Sequence, residues 1–204
     1  MDKSVYVDAK THYDMLIDEG NDPVYDSEAL KAYMDKWDGR QFIDDMRLSG
    51  NETVLEIGVG TGRLAIKVCG ECRTFYGIDL SSKTVETAKK NLSRYDNVHL
   101  VCDDFLCWMA DTKFDVIYSS LTFLHIEDKA KAIGKVYALL NGSGRFVLSI
   151  EKSQKNELVC DERIVKTYPD RADETEKLLL DSGFAITKQY ETEFANIFVS
   201  EKKR

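Results

Sequence analysis

No apolar run in this sequence approaches the roughly 20 residues of a membrane-spanning helix. Met1 leads into Asp2 and Lys3 without the apolar core of a signal peptide. Both absences argue for the cytoplasm and against a membrane partner. Basic residues are also short: 28 Lys and Arg stand against 36 Asp and Glu, a net charge of -8. Such a balance steers the chain away from anionic surfaces and disfavours nucleic acid. The five cysteines are odd in number, and four sit in or beside apolar patterns. That points to a reducing compartment, with thiols serving as small buried hydrophobes. Cys69 and Cys72 form a C-x-x-C, but no second pair follows at a zinc-like spacing, so no metal site is expected. The chain has no internal repeat, and 204 residues suit a single core.

Against these absences stands one strongly marked stretch, Val54-Leu55-Glu56-Ile57-Gly58-Val59-Gly60-Thr61-Gly62-Arg63-Leu64. A short apolar run ends in three alternate glycines and passes at once into a helical pattern. This spacing predicts a buried strand, a tight turn in which the backbone itself faces a ligand, and a helix start. Further strands are expected at Thr74–Ile78, Val98–Val101, Phe114–Tyr118 and Arg145–Ile150, with helical stretches between them. Leu64, Ala65, Val68, Cys69 and Cys72 share one helical face, and Ile126, Ala130, Ile133, Tyr137 and Leu140 make the clearest stripe. Alternating strands and helices predict an open, doubly wound, mostly parallel α/β sheet. Its sites should lie beyond the carboxyl ends of the strands.

The two ends differ from this middle. Residues 1–50 read as a helical cap or lid before a domain spanning 51–204. Leu30, Tyr33, Met34 and Trp37 form the expected buried face of one helix, and a second short helix contains Phe42, Ile43 and Met46. At the other end, a helix near Ala172–Ser182 stops at Gly183. Phe184–Tyr190 and Phe194–Val199 follow with only Glu191, Thr192 and Glu193 between them, so they should pair antiparallel. The path of 152–171 is open: Ile164 to Tyr168 reads as an extra strand or as a loop over the active face.

Three features decide between a dinucleotide and a nucleoside-like ligand. Arg63 stands where the dinucleotide fingerprint requires its third glycine. Glu56, just before the glycines, would repel a pyrophosphate but suits a cationic amino group. Polar residues recur at strand ends: Asp79, then Asp103 and Asp104, then Ser119 and Ser120. A ligand with ribose and base but no phosphates fits this set, and S-adenosylmethionine is such a ligand. Asp79 would take the ribose diol, Asp103 or Asp104 the adenine amino group, and Glu56 with the Ser119 carbonyl the ammonium. Leu80 and Phe105 would flank the adenine.

These blocks resemble the class I (seven-stranded, Rossmann-like) S-adenosylmethionine-dependent methyltransferases. The resemblance runs through Val54–Gly62, Gly77-Ile78-Asp79-Leu80-Ser81, Cys102-Asp103-Asp104-Phe105, Phe114–Ser119 and Leu139–Phe146, and covers roughly residues 40–200. It implies that Glu56, Gly58, Gly60 and Gly62 hold the methionine part, Asp79 the ribose and Asp103 the adenine. It does not carry over the acceptor. His125 is the candidate general base, because a histidine ordinarily titrates near neutral pH. Tyr13, Trp37, Tyr118 and Tyr168 are candidates for lining an acceptor pocket. The family's amino-methylating nucleic-acid enzymes often carry prolines after the fourth strand, where this chain has Ser119-Ser120-Leu121-Thr122. A small-molecule acceptor is therefore expected first and a protein side chain second. A nicotinamide oxidoreductase and a non-catalytic cofactor-binding subunit are the competing readings, and the oligomeric state, monomer or homodimer, is open.

Overall fold

The expected alternation closes into one seven-stranded sheet in the computed structural model, which describes residues 4–203. The Met1-Asp2-Lys3 start lies outside the described residues. The sheet contains β2 (Thr53–Ile57), β3 (Thr74–Asp79), β4 (Val98–Cys102), β5 (Phe114–Ser120), β6 (Leu140–Glu151), β9 (Phe184–Glu191) and β10 (Ala195–Lys202), in the order β4-β3-β2-β5-β6-β10-β9. Pairing is parallel from β4 through β6, and β10 runs antiparallel to both β6 and β9. The strand order reverses between β2 and β5, which opens a crevice above their carboxyl ends.

Both faces of the sheet are covered, so its central strands lack alternation. Leu55, Ile117, Phe146 and Phe198 point into one core; Val54, Val116, Val147 and Ile197 point into the other. Four helices flank the sheet after the glycine turn: α4 (Ala65–Val68), α5 (Ser82–Asn91), α6 (Lys129–Leu139) and α7 (Ala172–Asp181). The expected helix after the glycines is only the single turn α4 and a 3-10 turn, Cys69–Glu71. Gly70 weakens helix continuation there, yet Leu64, Ala65, Val68, Cys69 and Cys72 are all buried as the pattern requires. Cys102 is exposed instead of buried because β4 is an edge strand, and Cys107, in the turn after β4, is exposed as well. The α6 stripe is also rotated: Ala132, Ile133, Val136 and Leu139 face the core while Ala130 is exposed.

The N-terminal segment holds more structure than its pattern shows. It contains β1 (Val5–Val7), α1 (Ala9–Asp18), α2 (Glu28–Met34) and α3 (Gly39–Asp44). The sequence gives α1 no clean apolar stripe, because its buried position is His12. Asp8 starts the helix by accepting from the Thr11 amide at 2.6 Å. α2 ends before Trp37, and Leu30 and Tyr33 stay 44% and 45% exposed, so their expected buried face does not form. The undecided stretch before α7 is the hairpin of β7 (Glu157–Cys160) and β8 (Arg163–Lys166). β8 pairs in parallel with β1, joining the N-terminal segment to this hairpin in a second, three-stranded sheet.

Candidate active site

A cavity of about 480 Å³ opens at the crevice between β2 and β5. Its floor is the glycine turn, lined by Gly58 and Gly60 at φ of +78° and +56°, while Gly62, at φ +100°, lies off the wall. Gly58 is required twice over. Its conformation is left-handed, and a Cβ there would sit 1.9 Å from Thr122 Oγ1. Leu121, itself left-handed at φ 56°, turns the chain after β5 and precedes that threonine. The Gly58 and Val59 amides return to the Ile78 carbonyl at 2.8 and 3.1 Å.

Carboxylates ring this floor. Glu56 is 3% exposed and receives the Tyr118 hydroxyl at 2.7 Å. Burial pushes its carboxyl up to about 8. Asp79 accepts the Gly60 amide on one oxygen and the Ser81 amide on the other, both at 3.0 Å. It thereby couples the end of β3 to the glycine turn, while each oxygen keeps a further acceptor direction. Its burial also raises its pKa. Asp103, Asp104, Leu80 and Phe105 line the next part of the wall. Asp104 also accepts the Leu106 amide at 2.8 Å, so it shapes its own turn.

The other end of the cavity is covered by α1 and by residues after β8. The Tyr13 hydroxyl lies 2.9 Å from His125 Nε2, and the rings meet edge to face. Burial raises the Tyr13 pKa and lowers that of His125 to about 4, with His12 and Lys129 adding to the latter shift. His125 is thus a neutral imidazole at physiological pH and does not titrate near neutrality as expected. Tyr168 lines the same end, and its amide donates to the Leu124 carbonyl at 2.7 Å. Asp14 docks α1 on the start of α5, accepting from Ser81 Oγ at 2.7 Å and the Lys83 amide at 3.2 Å.

Four of the expected site residues lie elsewhere. Ser119 is fully buried, its hydroxyl donating to the Ile57 carbonyl at 2.9 Å, and Ser120 lines the cavity in its place. Tyr118 stands behind Glu56 as its hydrogen-bond donor, away from the wall. Trp37 packs on Phe194 at 4.7 Å between ring centroids, because α2 ends before it and the chain turns back toward β10. Gly62 closes the turn against Leu92. The structure adds residues that no local pattern marks. Asp38, 1% exposed, is gripped by Arg63 at 3.2 and 2.5 Å and by Ser120 Oγ at 2.8 Å. Arg63 therefore meets a carboxylate of its own chain.

An open α/β sheet with a glycine turn at its switch point, and carboxylates at successive strand ends, defines a Rossmann-like nucleoside-binding architecture. A family model described as a methyltransferase domain matches residues 48–196, and the chain belongs to that family. It is 32% identical over 185 residues to an uncharacterized methyltransferase of Anoxybacillus flavithermus, covering 80% of this chain and 85% of that one. With an uncharacterized methyltransferase of Bacillus cereus it shares 34% identity over 139 residues, spanning 67% of this chain and 61% of that protein. In fold it is similar to magnesium protoporphyrin IX methyltransferase of Synechocystis PCC 6803, solved with bound S-adenosylmethionine. There the TM-score is 0.71 at 19% identity, with 97% of this chain and 98% of that chain covered.

Proposed function

We propose that this chain transfers a methyl group from S-adenosylmethionine to a small-molecule acceptor seated between α1 and the His125 turn. One observation carries the reading. A single cavity joins strand-end carboxylates, including one poised beside the glycine turn, to a half-buried Tyr13–His125 pair. The donor set fits the cofactor: Glu56 offers an unspent carboxyl oxygen to an ammonium, and Asp79 offers two acceptors to a diol. Asp103 faces the place of an adenine amino group, with Leu80 and Phe105 as its apolar neighbours.

When bound, the cofactor supplies an electrophilic methyl on a sulfonium, so positioning of the acceptor accounts for much of the rate. The chain supplies that positioning at Tyr13. With the Tyr13 O–H donated to His125 Nε2, the phenolic oxygen is free to accept the proton of an acceptor hydroxyl, thiol or amine. That proton grows acidic as the new bond forms, and it passes through Tyr13 to Nε2. A neutral imidazole of low basicity is competent for such late transfer. A small neutral acceptor suits the site, because the cations on the wall, Lys10 and Arg63, are already paired with Asp14 and Asp38.

Calorimetric titration with S-adenosylmethionine, S-adenosylhomocysteine and NAD tests the cofactor. Micromolar binding of both adenosyl ligands and none of NAD is expected; NAD binding alone overturns the reading. Asp79→Ala removes a charge-assisted bond worth about 1.5–3 kcal/mol and should weaken S-adenosylmethionine at least about tenfold. An unchanged Kd removes Asp79 from the ribose site. His125→Asn should lower kcat on a hydroxyl or thiol acceptor by about 100-fold while cofactor affinity holds. Equal turnover makes His125 a packing residue.

A further inference from the structure

One buried ion pair, behind the cavity wall, ties together two segments that each carry an acceptor-end residue. Lys129 opens α6 and Asp170 lies just before α7, with Nζ and Oδ1 2.8 Å apart and side chains 16% and 2% exposed. The same ammonium donates to the Phe123 carbonyl and, at 2.9 Å, to the Tyr168 carbonyl. An ammonium has three N–H groups, and these three partners use them all. Phe123 begins the 3-10 turn that ends at His125. Tyr168 belongs to the segment between β8 and α7, and its amide closes the junction from the other side by donating to the Leu124 carbonyl.

Burying this pair is costly. Burial lowers the Lys129 pKa and raises that of Asp170, and an apolar pair of similar size commonly stabilises a fold as well or better. An apolar pair, however, cannot grip carbonyls from two segments at once. We propose that Lys129, anchored by Asp170, is a positioning residue for methyl transfer. It fixes the His125 turn against the Tyr168 segment and so sets where the acceptor sits relative to Tyr13 and His125. This inference rests on the acceptor end assigned under the proposed function.

The test uses the full chain and follows the imidazole nitrogen shifts of His125, assigned by their loss in His125→Asn. Spectra are recorded at about pH 8, where the imidazole is neutral with or without the Lys129 charge. In the parent, the shifts should report one tautomer, set by the bond to Tyr13. In Lys129→Met and Asp170→Asn they should move to the tautomer average of a free imidazole, while Lys129→Arg keeps the parent spectrum. The Kd for S-adenosylhomocysteine should stay within about threefold in all variants, since none of these residues lines the cofactor end. Parent-like shifts in Lys129→Met and Asp170→Asn overturn the proposal. If Lys129→Met fails to fold, Asp170→Asn, which preserves side-chain size, decides alone. A parent that binds no S-adenosylhomocysteine overturns the cofactor reading instead, and the shifts of the free protein still decide the clamp.

Discussion

Gly58→Ala is expected to abolish measurable binding of S-adenosylhomocysteine and to destabilise the fold by about 2–5 kcal/mol. Two costs add at this position. The backbone is left-handed at φ +78°, which penalises any Cβ by about 1–2 kcal/mol. The new Cβ would also fall 1.9 Å from Thr122 Oγ1 and 2.7 Å from both Thr122 carbons. Neither side can yield cheaply, because Thr122 directly follows the left-handed Leu121 and its carbonyl receives the His125 amide at 2.9 Å. Relief of the clash would therefore displace both the glycine turn and the His125 turn. Gly60→Ala is the control. Its φ is +56°, but nothing lies within 4 Å of the added Cβ, so only the backbone cost remains. Urea midpoints of the two variants, and the calorimetric Kd of Gly58→Ala, check this. Equal effects would mean that Thr122 does not constrain the turn.

The second large effect concerns Glu56. Its carboxyl rises from an ordinary 4.5 to about 8 in the free protein, chiefly through burial. Between these values the unfolded chain holds Glu56 ionised while the folded chain holds it protonated. Stability from this group is therefore full below the unfolded pKa and is lost as pH rises through the folded one, by on the order of 3–5 kcal/mol. Glu56→Gln keeps an acceptor for the Tyr118 hydroxyl and removes the titration. Its urea midpoint should exceed the parent's at about pH 8 and lose most of that advantage at about pH 5. The same proton reports ligand binding. A cationic amino group beside Glu56 favours the carboxylate, so S-adenosylmethionine should release about one proton near neutral pH. Calorimetry in buffers of different ionisation heat measures this. Glu56→Gln should bind more weakly and release none, whereas a parent that releases no proton places the ammonium elsewhere.

The two effects differ in how they were visible. Gly58 belongs to a pattern of alternate glycines after an apolar run, and that pattern is local. Asp79 and Asp103 were legible for the same reason, since a carboxylate at the end of each apolar run falls on one edge of a parallel sheet. The protonation of Glu56 was not legible. It depends on the closed packing around the carboxyl, which outweighs the opposing hydrogen bond from Tyr118, 62 residues away. Trp37 misled because four apolar residues at helical spacing describe a helix only while the helix lasts, and α2 stops at Met34.

By itself, the sequence determined the parallel sheet, the antiparallel final pair, the glycine turn and the row of strand-end acids. Each of these follows from the period of apolar residues and from backbone conformations that only certain residues adopt. Tertiary structure alone decided how the Tyr13–His125 end of the cavity is assembled. Tyr13 meets His125 across 112 residues, Ser120 meets Asp38 across 82, and Lys129 reaches the Tyr168 carbonyl across 39. Such contacts join polar side chains from elements whose own patterns are weak. Their partners are chosen by burial and by the cost of leaving buried polar groups unpaired, and neither exists until the chain has folded.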